Sequence, residues 1–258
     1  MRKICLIGMG PGGLKYLTAQ AIAALRKVDV FFLLEKQGRG KEALGDARHR
    51  ILDLYRGRGA YRIITEESPP RAPAQDDYLD VVAKWHARKT EIFAALFEEH
   101  LAEGQIGGVL VWGDPALYDS SIAILQRVQA QYPGRFVIEV TPAVSSLHLL
   151  AARHAIPLHE IGGDFLVTTA RRLLAGAAKG HDSVAVMLDS NAAFARIDPE
   201  DFHIYWGAYL GTEHEVLTSG PLRDIGPALA ETVRREKQRH GWILDIYLLK
   251  RRSVGAGR

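Results

Sequence analysis

The sequence predicts an α/β fold built as two domains, and three observations carry that expectation. Short apolar runs alternate with amphipathic stretches through the first part of the chain, the pattern of strands followed by covering helices. Glycine- or proline-bearing turns close three of these runs, at residues 8–13, 113–115 and 141–146. A second group of apolar runs begins only after Ile156-Pro157, where proline favours a hinge. The 258 residues suffice for two domains of about 100–150 residues each, and we expect them at 1–143 and 144–258.

Residues 3–8 form a short apolar run stopped by glycines, a buried strand. Thr18 can cap a short helix reaching residue 27, with Ala21, Ile22 and Leu25 on one face. Residues 28–34 (VDVFFLL) are β-branched and aromatic, which suits a second buried strand. A helix over 42–55 and a strand over 61–65 follow, then the loop Ser68-Pro69-Pro70-Arg71-Ala72-Pro73. Asp77 opens a long amphipathic helix ending near residue 102. Strand 109–112, helix 120–132 and strand 136–141 complete the first domain. Continuous apolar strands interleaved with helices imply a mostly parallel sheet. In the second domain we expect a helix over 144–153, strands over 165–169, 183–188, 203–209 and 243–249, and a helix over 225–239. Residues 252–258 carry the polar, glycine-containing composition of a frayed end.

Composition removes several function classes. The single cysteine, Cys5, lies inside the first apolar run, so neither a disulfide framework nor a thiolate metal cluster can form. Its place suits a buried strand residue. No apolar run approaches the ~20 residues of a membrane helix, and the apolar start is too short for a secretory signal, so the expected address is the cytoplasm. A net charge of +3 is too mild to argue for nucleic acid. The local basic segment Arg48-His49-Arg50, with Arg56, Arg58 and Arg62, is either a solvated face or a surface for an anionic substrate. His154 and His159 stand five apart across Pro157, and no ligand-spaced histidine pair appears, so no metal is expected.

Gly8-Met9-Gly10-Pro11-Gly12-Gly13 matches the spacing of a dinucleotide-binding loop, and Glu35 lies where a ribose-binding acid would. One physical point weighs against that reading. Leu14-Lys15-Tyr16-Leu17 separate the glycines from Thr18, so the helix dipole starts too far away to receive a pyrophosphate. Pro11 also removes a backbone donor.

Two further loops complete a pattern. Val111-Trp112-Gly113-Asp114-Pro115-Ala116-Leu117-Tyr118-Asp119-Ser120 and Thr141-Pro142-Ala143-Val144-Ser145-Ser146 each end an expected strand. With the glycine loop and Leu17-Thr18, they resemble, in the same order, the three loops of the tetrapyrrole (corrin/porphyrin) methylases. Within that family the likeness is strongest to the branch that methylates a precorrin with loss of acetate. It is carried by Val28-Asp29-Val30-Phe31-Phe32, Ala151-Ala152-Arg153-His154, Val186-Met187-Leu188-Asp189, Ile204-Tyr205-Trp206-Gly207-Ala208-Tyr209-Leu210-Gly211-Thr212 and Gly241-Trp242-Ile243-Leu244-Asp245-Ile246-Tyr247-Leu248-Leu249, and so spans essentially the whole chain. Gly13 departs from the aspartate usual there, and Ala143 from a glycine. The first removes a carboxylate; the second implies ordinary backbone angles.

The resemblance implies two α/β domains with a cleft for S-adenosylmethionine between them, a homodimer, and an anionic tetrapyrrole substrate. It further implies methylation of precorrin-5 with release of acetate to give precorrin-6A. The same fold also serves other acceptors: other precorrins, ribosomal RNA ribose and a modified histidine. By matching motifs, Gly113, Asp114 and Leu117 would border the methionine and ribose of the cofactor, and Ser145 and Ser146 would add hydroxyl and backbone contacts. Met187 and Leu188 would flank the adenine with Tyr205, Ala208 and Leu244 nearby, and Pro11 would sit where cofactor meets substrate. Plainer readings stand beside these: Asp114 as a turn-former before Pro115, and Ser145 and Ser146 as helix caps. Asp119, Tyr118 and Glu160 are candidate helpers in deacetylation, and no catalytic base is assigned. Arg48, Arg50, Arg153, Arg171 and Arg172 are candidate partners for substrate carboxylates.

Overall fold

The computed structural model describes residues 1–35, 42–57, 59–70, 78–199 and 202–251, without the side chains of 42–45. Of the features expected from sequence, Arg58, the end of the proline loop (71–73), Asp77 as a helix start and the frayed 252–258 lie outside the described residues. The chain divides into two compact units, Met1–Val144 and Ser145–Arg258.

The first unit is a five-stranded sheet in the order β3-β2-β4-β1-β5. Its strands are β1 (Arg2–Gly8), β2 (Val30–Glu35), β3 (Arg62–Glu67), β4 (Ile106–Val111) and β5 (Phe136–Thr141), paired in parallel throughout. Helices α1 (Ala19–Leu25), α2 (Glu42–Arg56), α3 (Tyr78–His100) and α4 (Ser121–Gln131) form the connections. Strand side chains alternate between faces. Cys5, Ile7, Phe31 and Leu33 pack with Ala21 and Leu25 of α1 and Ile51 and Leu52 of α2. Ile4, Leu6, Val30 and Phe32 pack with Phe93 and Phe97 of α3 and Ile124 and Val128 of α4. Both faces of the inner strands are thus buried, which is why residues 4–7, 30–33 and 109–111 run without a polar residue, whereas the edge strands β3 and β5 carry Arg62, Glu66, Glu67 and Glu139. The Thr18 hydroxyl accepts the Ala21 amide at 3.0 Å and caps α1. Cys5 is buried, and its thiol is pushed up to about 11 by burial and by Glu139.

The second unit starts with α5 (Ser146–His154) and holds a mixed sheet in the order β6-β7-β10-β8-β9. Its strands are β6 (Leu166–Thr169), β7 (Ser183–Asp189), β8 (Phe202–Ala208), β9 (Val216–Pro221) and β10 (Asp245–Arg251). Only β6 and β7 pair in parallel; the other three pairings are antiparallel. Helices α6 (Ala170–Leu174) and α7 (Leu222–His240) complete the unit. Val184, Val186, Ile204, Trp206, Tyr247 and Leu249 form a core with Leu222, Leu229 and Val233 of α7 and Phe194. Strand β9 has no counterpart in the sequence expectations. Its residues, VLTSGP, end in a turn-like Ser-Gly-Pro, and the proline is tolerated because β9 is an edge strand paired only with β8. Among the described residues, no helix is long and apolar enough to cross a membrane.

Candidate functional site

Strands β4, β1 and β5 are neighbours in the first sheet, so the three motif loops leave its carboxyl edge side by side. Ligands of open α/β sheets collect along that edge. The loops are joined by their backbones. The Met9 amide donates to the Val111 carbonyl at 2.8 Å, and Gly10 and Gly113 exchange bonds of 3.2 and 2.9 Å. Gly10 and Gly113 both hold left-handed angles (φ +74 and +77), which glycine adopts without a Cβ penalty. Gly8 is required for space instead. A Cβ there would lie 2.7 Å from the Ala143 Cβ, 2.8 Å from Pro115 Cδ and 3.0 Å from the Gly113 carbonyl oxygen. One glycine is therefore the contact point of all three loops.

Asp114 joins two of them through its side chain. One carboxylate oxygen accepts the Ala116 amide at 2.9 Å, the turn-forming role; the other accepts the Ala143 amide at 2.7 Å. Sequence suggested only the first bond. Leu117 is half-buried and closes the turn by donating to the Asp114 carbonyl. Pro11 is buried between Gly10 and Gly12. A 3-10 turn over Leu14–Tyr16 starts directly after Gly13, and the first amides of α1 follow only from Ala19.

Beyond Leu117 the chain turns through Tyr118, exposed and left-handed at φ +51. Asp119 then accepts the Ser121 amide at 2.6 Å at the start of α4. Arg48 of α2 lies near Glu35, the last residue of β2, and near Asp119; burial pushes its guanidinium down against their charges.

In the second unit, Ser145 occupies the cap position of α5, but its hydroxyl makes no cap bond. It meets His148 Nδ1 at 2.8 Å, while Ser146 is already the first helical residue. The capping role suggested for these serines is therefore positional and does not use either hydroxyl on an amide. Met187, Leu188, Ala208 and Leu244 share one end of the second sheet. Asp245 pairs with Asp189 on one side and Ala208 on the other, and the Tyr209 amide donates to the Leu244 carbonyl at 2.9 Å. Leu188 is 61% exposed at φ +56, a costly conformation for a branched residue. Leu244 is also exposed, whereas Ala208 is fully buried, backbone included. Tyr205 does not join this row. It pairs with Leu248, three residues into β8, and its ring stands beside those of His154 and His203. Glu160 is exposed, ion-paired with Lys250, and Lys250 pairs with Ser183 at the opposite end of β7. It has no place beside the Leu188 row.

Sequence reasoning missed a buried polar cluster just behind that row. Asp189 accepts the amides of Asn191 (2.9 Å) and Ala193 (2.7 Å) and the Tyr247 hydroxyl (2.9 Å). Its neighbour Asp245 accepts the Trp206 indole N–H at 3.0 Å, and its second oxygen is buried with no partner among the described residues. Burial, helped by the Asp189 charge and opposed by the Trp206 bond, pushes Asp245 up to about 8. The signal available in sequence was Asp189-Ser190-Asn191, a short polar stop after an apolar strand. Among the described residues, no group of three His, Cys, Asp or Glu side chains could hold a metal ion.

With this geometry in hand, comparison with known proteins is decisive. Residues 3–226 match the model of the Tetrapyrrole (Corrin/Porphyrin) Methylases. The chain belongs to the tetrapyrrole methylase family. It is 40% identical over 251 residues to a precorrin-6A synthase (deacetylating) of Sinorhizobium sp, covering 97% of this chain and 96% of the relative. It resembles the crystal structure of a cobalamin synthesis related protein (CobF) from Corynebacterium diphtheriae with a TM-score of 0.82 and 31% identity, over 97% of this chain and 99% of that one. A uroporphyrin-III C-methyltransferase from Thermus thermophilus, solved with S-adenosyl homocysteine, shares the fold at a TM-score of 0.59 and 16% identity, over 96% and 97% of the two chains. In this tetrapyrrole methylase the two departures from the usual motifs have a plain structural basis. Gly13 has an ordinary φ of −93 and makes no use of its freedom. Ala143 takes no left-handed angle, and its methyl lies against Gly8.

Proposed function

We infer that this chain is an S-adenosylmethionine-dependent C-methyltransferase of corrin-ring synthesis that converts precorrin-5 to precorrin-6A with loss of acetate. The observation that carries this is the near full-length, 40% identical deacetylating precorrin-6A synthase. Each sheet end, taken by itself, carries surface that suits part of the cofactor. Exposed Leu188 and Leu244 offer apolar surface suited to a flat purine, and among the described residues nothing lies within 4 Å of where a Gly113 Cβ would be, so a ligand can approach that backbone closely.

The cofactor supplies an electrophilic methyl group, and an electron-rich pyrrole-derived carbon accepts it. The protein's part in that step is to align the two and exclude water. We assign Gly113, Asp114 and Leu117 to the methionine and ribose portions, with Ser145 and Ser146 as further contacts. Asp114 acts indirectly, since both its oxygens hold loop amides. Met187, Leu188, Ala208 and Leu244 are assigned to the adenine, Ala208 as the buried residue beneath the row, with Tyr205 more distant. Pro11 is assigned to the cofactor–substrate junction. A homodimer in the cytoplasm is the expected setting.

Calorimetry with S-adenosylhomocysteine and with NAD tests the cofactor: the first should bind and the second should not. Incubation of precorrin-5 with S-adenosylmethionine should then release one acetate per methyl transferred. Binding of NAD alone, or methyl transfer without acetate, would overturn the assignment.

A further inference from the structure

Of the arginines suggested as carboxylate partners, four have ordinary surroundings. Arg50, Arg171 and Arg172 are exposed, and Arg153 is ion-paired with Glu215 at 2.7 Å. Arg48 differs. It is half-buried, and among the described residues no hydrogen bond or salt bridge holds its guanidinium; its Nε is sealed from solvent and meets no acceptor. Other buried guanidinium groups of the first unit are satisfied on at least one nitrogen, Arg2 by Glu98 and Arg56 by the carbonyls of Arg26 and Ala60. Withdrawing a cation from water without a partner is costly, and proteins rarely retain it without a use.

The position of Arg48 suggests that use. The carboxylates acting on it are Glu35, at the carboxyl end of β2, and Asp119, just beyond the Gly-Asp-Pro loop that follows β4. Asp119 already holds the Ser121 amide. Arg48 is thus within electrostatic reach of two residues at the edge that carries the motif loops, and among the described residues no acceptor engages its planar fork of donors. We propose that Arg48 is a substrate-binding residue that receives one peripheral carboxylate of the tetrapyrrole in forked fashion. This rests on the functional reading above and adds to it the residue that orients the macrocycle at the first unit. Burial, which pushes the guanidinium down from its usual value, also leaves it poorly hydrated, so a carboxylate replaces little water.

The test uses the full chain and uroporphyrin, an octacarboxylate macrocycle, as the probe. Arg48→Gln should weaken uroporphyrin binding about tenfold or more, the loss expected for one charge-assisted forked contact. Arg48→Lys should restore only part of the affinity, because an ammonium supplies charge without the fork. Both variants should bind S-adenosylhomocysteine as the wild type does and melt at the same temperature or higher. A structural arginine would behave oppositely, with lower melting temperature and parallel loss of both ligands. Unchanged uroporphyrin affinity in Arg48→Gln, or no binding by the wild type, overturns the site. If the wild type binds both probes but releases no acetate from precorrin-5, the functional reading falls and the carboxylate site stands. Acetate release with an unchanged KM for precorrin-5 in Arg48→Gln has the reverse meaning.

Discussion

The two sheet ends are built by different means. At the first, loops from residues 8–13, 113–115 and 141–146 are joined by backbone bonds, close backbone approach and one bridging carboxylate. At the second, the edge of β7, β8 and β10 is backed by a buried network of Asp189, Trp206, Asp245 and Tyr247 acting through side chains. A backbone-built edge constrains residue identity tightly over short stretches, because only glycine, proline or an Asx-type side chain satisfies the geometry. A side-chain-built edge spreads its requirements over residues that look ordinary one at a time. Sensitivity to substitution should differ accordingly.

The sharpest contrast is between two glycines. In Gly8→Ala the new methyl meets Ala143, Pro115 and the Gly113 backbone at 2.7–3.0 Å, and none of these is a flexible side-chain end. We expect at least ~1–3 kcal/mol of destabilisation, seen as a melting temperature lower by about 2–4 °C per kcal/mol, with S-adenosylhomocysteine binding lost. Gly207→Ala in β8 is equally crowded, but by the terminal methyls of Leu210, Leu150 and Leu217, which can rotate away. It should cost less and leave the affinity unchanged. Equal damage from both substitutions would break the distinction.

Asp114→Asn comes next. One of its two oxygens becomes an amide nitrogen facing the N–H of Ala116 or Ala143, so a hydrogen bond is replaced by two opposed donors. Such a mismatch costs about 1–3 kcal/mol. Because the bond to Ala143 sets the path into the serine loop, S-adenosylhomocysteine affinity should fall about tenfold. Isothermal titration at constant pH checks this, and unchanged affinity would remove Asp114 from the positioning of that loop.

The same contrast explains what was readable from sequence. The α/β class, the parallel first sheet and the helices that cover it followed from apolar runs and caps such as Thr18, which depend on neighbours a few residues apart. The three loops were recognisable because left-handed backbone angles fix Gly10 and Gly113 locally, and the Asp-Pro turn fixes its own short sequence. Meeting points such as Gly8 with Ala143, or Asp114 with the Ala143 amide, join residues far apart in the chain and have no local signature. The antiparallel pairings of the second sheet and its edge strand β9 were hidden for a related reason: register is set by partner strands, and β9 carries few apolar residues. The Asp189–Asp245 cluster was the least visible. Asp245 sits in an apolar strand where an isolated acid reads as an ordinary edge residue.

That cluster supplies the smallest expected effect and the one with a pH signature. Asp245 is held up to about 8 in the folded protein, against an unfolded value near that of a free aspartate. Between those two values the folded state keeps a proton that the unfolded state has lost, so stability falls as pH rises through the window. Above about 8 both states are ionised and the penalty is constant at its maximum. Asparagine mimics the protonated acid, with a carbonyl oxygen for the Trp206 N–H and donors toward Asp189. Asp245→Asn should therefore raise the melting temperature by a few degrees at pH 8, at about 2–4 °C per kcal/mol, and by progressively less toward pH 4. Cofactor binding should be little altered, because the substitution removes charge from behind the edge without moving the strand. A gain independent of pH would mean that Asp245 holds no proton in the folded protein that the unfolded chain has lost, and would overturn its raised pKa.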